Sequence, residues 1–352
     1  MKPARDSWLN PALAVVLCAV AGALFAWLHI PLPWMLGPLV AMAICNFAGA
    51  ELRATRGSRE VGQIVIGSAL GLYFTPAVSA QVISYWAILL AAGVFAIALG
   101  VLGGVILSRL ANVDRSTAFF ASVPGGAAEM TLLGGRYGAR PDRIALAQSL
   151  RILVVVVVIP FALTYSGAHG LDPYDAGAVP LHWGKLAILL AAAALAGAVV
   201  ARLGLPNGFM FGALALSILL TASQIELSSV PGLLTNAAQL LIGWVLGSHF
   251  ERRSLGSAPR YVAAVLASVA VGIACAAGFG ALLAWVAGLS VPSLVLATAP
   301  GGLAEMCITA KVLQLGVPLV TAAQVTRVFL LLLSTGAVYR AALAMQQRFD
   351  RN

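Results

Sequence analysis

Apolar residues run through this chain in long unbroken blocks separated by short polar punctuation, without the alternation or stripes of a half-buried surface. The blocks fall at about 11–28, 33–49, 61–74, 83–108, 117–135 and 144–166, then at about 186–203, 206–223, 233–250, 261–287, 291–310 and 318–339. Most approach the ~20 residues needed to cross hydrocarbon, where only helices and closed barrels satisfy their own backbone. Runs this continuous predict helices, and therefore an all-α polytopic membrane protein. Composition agrees, with 61% hydrophobic residues, 9% charged residues and a mean hydropathy of +0.97, far from soluble globular chains. The first block follows Lys2 and Arg5 and has the outline of a signal peptide. Its counterpart around Ala196 and Gly197 predicts instead that it is retained as the first helix.

The blocks repeat because the sequence does. Pro124-Gly125-Gly126-Ala127-Ala128-Glu129-Met130 returns as Pro300-Gly301-Gly302-Leu303-Ala304-Glu305-Met306, and the offset between the two is half the length of the chain. Gln148 and Arg151 align with Gln324 and Arg327 in the same register, as do Gln63, Gly67 and Gly71 with Gln239, Gly243 and Gly247. Nearer the start of each half the register slips by one, pairing Gly22, Pro31, Met35 and Gly37 with Gly197, Pro206, Met210 and Gly212. One gap over half the chain marks a duplication. The predicted organisation is a first repeat at 1–170, an extracytoplasmic connector at 171–185 and a second repeat at 186–345.

The two copies place their basic residues in opposite loops. Arg53, Arg56 and Arg59 have no basic counterpart around 226–236, whereas the stretch 75–84 is free of basic residues and its counterpart carries Arg252, Arg253 and Arg260. Such reciprocity is expected of repeats inserted with opposite topology. If each half crosses five times and its motif segment dips in and returns, 17 of the 21 basic residues are cytoplasmic. Arg151 and Arg327 then lie in the membrane, with only Lys185 and Lys311 outside. If all six segments cross, the split falls to 11 against eight. The positive-inside rule therefore selects two inverted repeats, each with five spans and one re-entrant broken helix. Both termini are then cytoplasmic, and Asp172 and Asp175 lie outside. Trp8, Trp27, Trp34, Trp183 and Trp285 fall near segment ends, where interfacial anchors are common.

The motif is built to break a helix. Proline removes a donor and clashes with the preceding turn, and glycine tolerates unusual dihedrals. About eight apolar residues flank the break on each side, so at 1.5 Å per residue each half-helix would reach roughly 12 Å, near the middle of a ~30 Å core. A helix starting after Pro124-Gly125-Gly126, or Pro300-Gly301-Gly302, aims unpaired N–H groups and its positive dipole end at whatever fills the gap. Glu129 and Glu305 fall in the first turn, as a proton or cation carrier or as the partner of a buried arginine. Arg151 and Arg327, with Gln148 and Gln324 one turn earlier, form a polar stripe on the last helix of each half, suited to a carboxylate from substrate or from those glutamates. Gly62, Gly67 and Gly71, like Gly243 and Gly247, allow close helix approach. Gln63 and Gln239 beside them either line the same site or bond between helices.

Two copies of Pro-Gly-Gly-x-Ala-Glu-Met, each followed by Gln-x-x-Arg, resemble the duplicated bacterial AbrB-type membrane family over essentially the whole chain. The labels attached to that family imply ammonia monooxygenase activity or gene regulation. The residues favour neither. His29, His169, His182 and His249 are scattered, and Cys18, Cys45, Cys275 and Cys307 sit singly in apolar segments, so no metal or cofactor site is expected. Neither a catalytic triad nor a nucleotide-binding loop can be placed. A DNA-binding regulator needs a soluble reading module, and the longest hydrophilic stretch, about 167–185, is too short; no nucleic-acid partner is expected. The reading is a secondary transporter of a small organic anion, amino acid or weak acid in the bacterial inner membrane, coupled to an ion gradient. Its partners would be the lipid bilayer and a small-molecule substrate, with homo-oligomer formation left open. The alternative is a membrane-embedded sensor that regulates gene expression indirectly, and an enzyme is the weakest class.

Overall fold

The computed structural model describes residues 6–50, 52–168, 170, 180–225, 227–250 and 259–349. Asp172, Asp175, Arg252 and Arg253 lie outside the described residues, as does the side chain of Trp8. Among those described, every regular element is a helix. The first half contains α1 (Asp6–Trp27), α2 (Pro33–Phe47), α3 (Ser58–Gly71), α4 (Pro76–Ser84), α5 (Trp86–Ala111), α6 (Arg115–Ser122), α7 (Ala127–Gly135) and α8 (Pro141–Tyr165). The second contains α9 (Trp183–Arg202), α10 (Gly208–Ala222), α11 (Gly232–Ser248), α12 (Pro259–Ala287), α13 (Val291–Thr298), α14 (Leu303–Leu313) and α15 (Val317–Phe349).

Each apolar block thus becomes one helix, except that each motif block becomes two. The helix that the block pattern does not predict is α4, in the stretch 75–84. Pro76 fixes φ at its first position, Thr75 Oγ1 accepts from Val78 N at 3.4 Å, and Val78 and Val82 are buried one turn apart. Its axis is bent 92° from α3. Five helices, α5, α8, α9, α12 and α15, are long and apolar enough to cross a bilayer. The apolar part of α1 and helices α2, α10 and α11 are shorter, at 10–17 residues. Trp27, Trp183 and Trp285 stand exposed at or near helix ends, as anchors at a lipid–water interface do. Trp34 instead packs on the backbone of α1, where a Cβ at Gly22 would approach its ring to 2.8 Å. The protein is a multi-pass helical membrane protein.

Two compact units take helices from both halves of the sequence. One comprises residues 1–83, 156–257 and 307–318. In it α10 packs on α9 and α3, and α11 on α2 and α3. The glycine spacing explains these approaches. Gly67 and Gly71 of α3 lie against Met210, Leu214 and Ser217 of α10, and Gly243 and Gly247 of α11 lie against Met35, Leu39 and Met42 of α2. Met35 and Met210 are counterparts, so one contact is made twice with the halves exchanged. Small residues are what permit such approach where lipid supplies no hydrophobic drive between helices.

The other unit comprises 84–155, 258–306 and 319–352. Here α5 packs on α6 and α12, and α12 on α13. Gly104 of α5 faces Phe119 of α6, and Gly280 of α12 faces Val295 of α13. Both members of this contact recur at the same offset as the motif, so it too is made once by each half.

Candidate functional site

Both motif breaks lie in the second unit. Helix α6 stops at Ser122 and α7 starts at Ala127; α13 stops at Thr298 and α14 starts at Leu303. A broken helix leaves carbonyls without partners at the end of its first piece and N–H groups without partners at the start of its second. In a membrane protein each of these must be satisfied inside the molecule.

The Gln-x-x-Arg stripe satisfies the carbonyls. Gln148 Nε2 donates to Phe120 O at 2.9 Å, Ala121 O at 3.3 Å and Val123 O at 2.9 Å. Arg151 Nη1 donates to Val123 O at 3.0 Å and Nη2 to Gly125 O at 3.2 Å. The second copy repeats this with partners at the corresponding positions. Gln324 Nε2 donates to Leu296 O at 2.8 Å and Ala297 O at 3.4 Å. Arg327 Nη1 and Nη2 donate to Ala299 O at 2.6 Å and Gly301 O at 2.7 Å. Both glutamines are fully buried, and Arg151 and Arg327 retain only 5% and 3% exposure. A planar guanidinium reaches two carbonyls across a break, a task a single ammonium performs poorly. The sequence points these arginines at a carboxylate; in the structure their terminal nitrogens reach the backbone of the break.

The glycines also serve differently from their expected part. Gly126 has φ −71° and ψ 142°, which any residue adopts, and none of Gly125, Gly126, Gly301 or Gly302 has positive φ. What they provide is space. A Cβ on Gly126 would fall on the Glu129 carboxylate, and one on Gly302 on that of Glu305. A Cβ on Gly125 would meet Met130 Cε at 2.7 Å, and one on Gly301 would meet Met306 Cε at 2.7 Å. Each glutamate therefore folds back over the start of its own helix, where the dipole favours negative charge. Glu305 is buried and Glu129 half-buried. Pro124 and Pro300 are buried at the two breaks.

The two copies come together electrostatically. Arg151 lies within reach of the charge of Arg327, which repels it, and of Glu305, which attracts it. Beside the first break is a cavity of about 30 Å³ with Ala121, Ser122, Ala147, Arg151 and Ser268 on its wall, together with Pro300 of the second break. At ~10–15 Å³ per water-sized centre it takes two or three such centres. Ser122 and Ser268 were not singled out in the sequence. A hydroxyl in an apolar helix is too common a feature to announce a site, though Ser268 has no polar counterpart in the first half. Gln63 and Gln239 belong to the other unit, where Gln63 Nε2 donates to Asn207 Oδ1 at 2.9 Å, an acceptor shared with Arg59 Nη2 at 2.8 Å. Gln63 is thus an interhelical bond between α3 and the N-terminus of α10. Among the described residues His, Cys, Asp and Glu side chains do not gather in threes that could hold a metal ion.

Paired broken helices, each pinned by a buried Gln-x-x-Arg stripe, define the class as a duplicated multi-pass helical membrane protein. Residues 34–342 match the family model described as Transition state regulatory protein AbrB. The chain belongs to the AbrB family. It is 28% identical to a protein of Escherichia coli strain K12 named Putative regulator AbrB, over 94% of this chain and 96% of that one. It is 26% identical to Uncharacterized protein YhjN of Bacillus subtilis strain 168, over 96% of this chain and 92% of that one.

Proposed function

We propose that this protein is a secondary transporter of the bacterial inner membrane, with two inverted repeats of five spans and one re-entrant broken helix each, and with both termini cytoplasmic. The observation that carries the reading is the pair of helix breaks in one unit, with Arg151 of one copy and Pro300 of the other on the wall of one cavity. Irregular backbone and permanent charge at membrane depth are tolerated where they line a cavity, and transporters built from inverted repeats place their substrate and ion sites there. Arg151 and the breaks attract an anion; Glu129 and Glu305 carry the coupling proton or cation. Substrates are small organic anions, amino acids or weak acids.

The test is uptake of a labelled panel of such compounds into proteoliposomes under an imposed pH or sodium gradient. Gradient-driven uptake lost in Glu129→Gln and Glu305→Gln is the expected result. Unaltered coupled flux in both variants would remove the carrier role. A second reading, a membrane-embedded sensor, draws support from the name of the Escherichia coli relative. It requires ligand binding to the purified protein with no flux under any gradient.

A further inference from the structure

The cavity beside the first break breaks the symmetry of the duplication. Its wall carries one permanent cation, Arg151, two hydroxyls, Ser122 and Ser268, and otherwise apolar side chains such as Leu99, Leu107 and Val269. Among the described residues, no carboxylate lines it. Arg151 has committed both terminal nitrogens to the break, but its Nε is buried and without a partner. An orphaned N–H on a buried cation is costly and calls for an acceptor. Gly103 keeps the space open between the serines, since a Cβ there would stand 3.0 Å from both Ser122 Cβ and Ser268 Oγ.

The second copy keeps the buried arginine in Arg327 but has replaced the open space and the serines. Along the register of the duplication, which Gly104 and Gly280 show to hold in these helices, Gly103 corresponds to Phe279, Ser268 to Ala92 and Ser122 to Thr298. Phe279 stacks on Phe95 with ring centroids 4.2 Å apart. The Thr298 hydroxyl is engaged by its own surroundings, 2.9 Å from the carbonyls of both Ala276 and Leu294. One copy keeps a positively charged hollow with two serine hydroxyls, of which Ser268 Oγ donates to Gly103 O at a long 3.4 Å, and the other fills the corresponding positions with a ring, a methyl and a hydroxyl held at 2.9 Å.

We infer that the first copy alone binds a small monovalent oxyanion, of about formate size, between Arg151 Nε, Ser122 and Ser268. A planar anion with two or three oxygens matches these donors. A space of two or three water-sized centres is matched by the smallest oxyanions and not by di- or tricarboxylates. The inference rests on the transport reading for its biological sense, and narrows the substrate class from organic anions in general to the smallest of them. The second break then serves to hold its carbonyls and the counter-charge of Glu305.

The experiment uses the full-length protein in lipid nanodiscs, titrated calorimetrically with sodium formate and sodium nitrite against gluconate at constant ionic strength, with citrate as the oversized probe. Formate and nitrite should bind and citrate should not. The double variant S122A/S268A should weaken binding at least tenfold, and Gly103→Leu should abolish it. Phe279→Leu, in the corresponding place of the second copy, should leave binding within twofold. The serine variant removes two oxygens without crowding, so it guards against a misfolded Gly103→Leu protein. If the native protein binds neither probe, or the serine variant binds with unaltered affinity, the site is overturned. Proteoliposome flux on the same preparations separates the two ideas. Flux of a larger substrate without formate binding overturns this site alone, whereas serine-dependent binding with no flux overturns transport and leaves the site standing.

Discussion

The Glu129 carboxylate occupies the place where a Cβ on Gly126 would stand, and Glu305 relates to Gly302 in the same way. Glycine and glutamate, three apart in both copies, are one structural unit. The backbone at Gly126 is ordinary, so alanine there leaves the main chain undisturbed and evicts only the carboxylate. Gly126→Ala and Gly302→Ala should therefore yield inserted, folded protein whose coupled flux falls at least tenfold, as in the corresponding Glu→Gln variants. Flux in proteoliposomes, beside thermal unfolding in detergent, decides it. Full flux in the alanine variants would show that the position of the carboxylate is immaterial.

Arg327 bridges Ala299 O and Gly301 O, so its truncation strands two buried carbonyls. At about 1–3 kcal/mol for each orphaned group, Arg327→Met should cost roughly 2–6 kcal/mol. Arg327→Lys should recover only part of that loss, because one ammonium cannot reproduce the fork. Gln324→Glu should also be destabilising, since an ionised carboxylate cannot donate to Leu296 O and Ala297 O and a neutral one has a single proton to offer. Unfolding by denaturant or heat in a fixed detergent checks the ranking. A fully rescuing lysine would refute the bidentate account.

Glycines in this protein divide sharply by what faces them. A Cβ on Gly243 would fall on the Met35 carbonyl, whereas Gly278, in a lipid-length helix, has nothing within 4 Å. Gly243→Val should block the α2–α11 approach and abolish accumulation of folded protein. Gly278→Val should change stability by no more than about 0.5 kcal/mol, as substitutions away from contacts do. Fluorescence-detected size exclusion on both variants reads the contrast directly.

Sidedness tests the inverted topology. Arg136 and Val312 are counterparts and both are exposed, which suits them to labelling. In a background lacking native cysteines, Val312→Cys should react with a membrane-impermeant thiol reagent in intact cells and Arg136→Cys should not. Equal labelling of the two would mean parallel repeats and would overturn the inverted topology.

Much of the architecture is legible in the sequence alone. Period-free apolar blocks determine helices in lipid because no other local structure satisfies the backbone there, and Pro124 and Pro300 determine where two of those helices break. The stretch with Pro76 reads as loop in the sequence, because so short a segment carries too little pattern to stand out. The partners of Gln148 and Arg151 were not legible, because an unpaired carbonyl at a helix end looks the same in sequence whether water or a side chain satisfies it.

The sequence by itself determined that the chain is duplicated, that it is a helical membrane protein, and that glutamate and arginine are embedded in both copies. Register, apolar length and the presence of charge are written residue by residue. Only the tertiary structure decided what those charges touch. It turned Arg327 and Gln324 toward main-chain carbonyls, gave the motif glycines a purpose in volume where the sequence suggested one in dihedral angle, and left a hollow at Gly103 where the other half carries Phe279. Such outcomes depend on which helices pack together, and packing between segments far apart in the chain is set by the complementarity of whole surfaces, which no local pattern records.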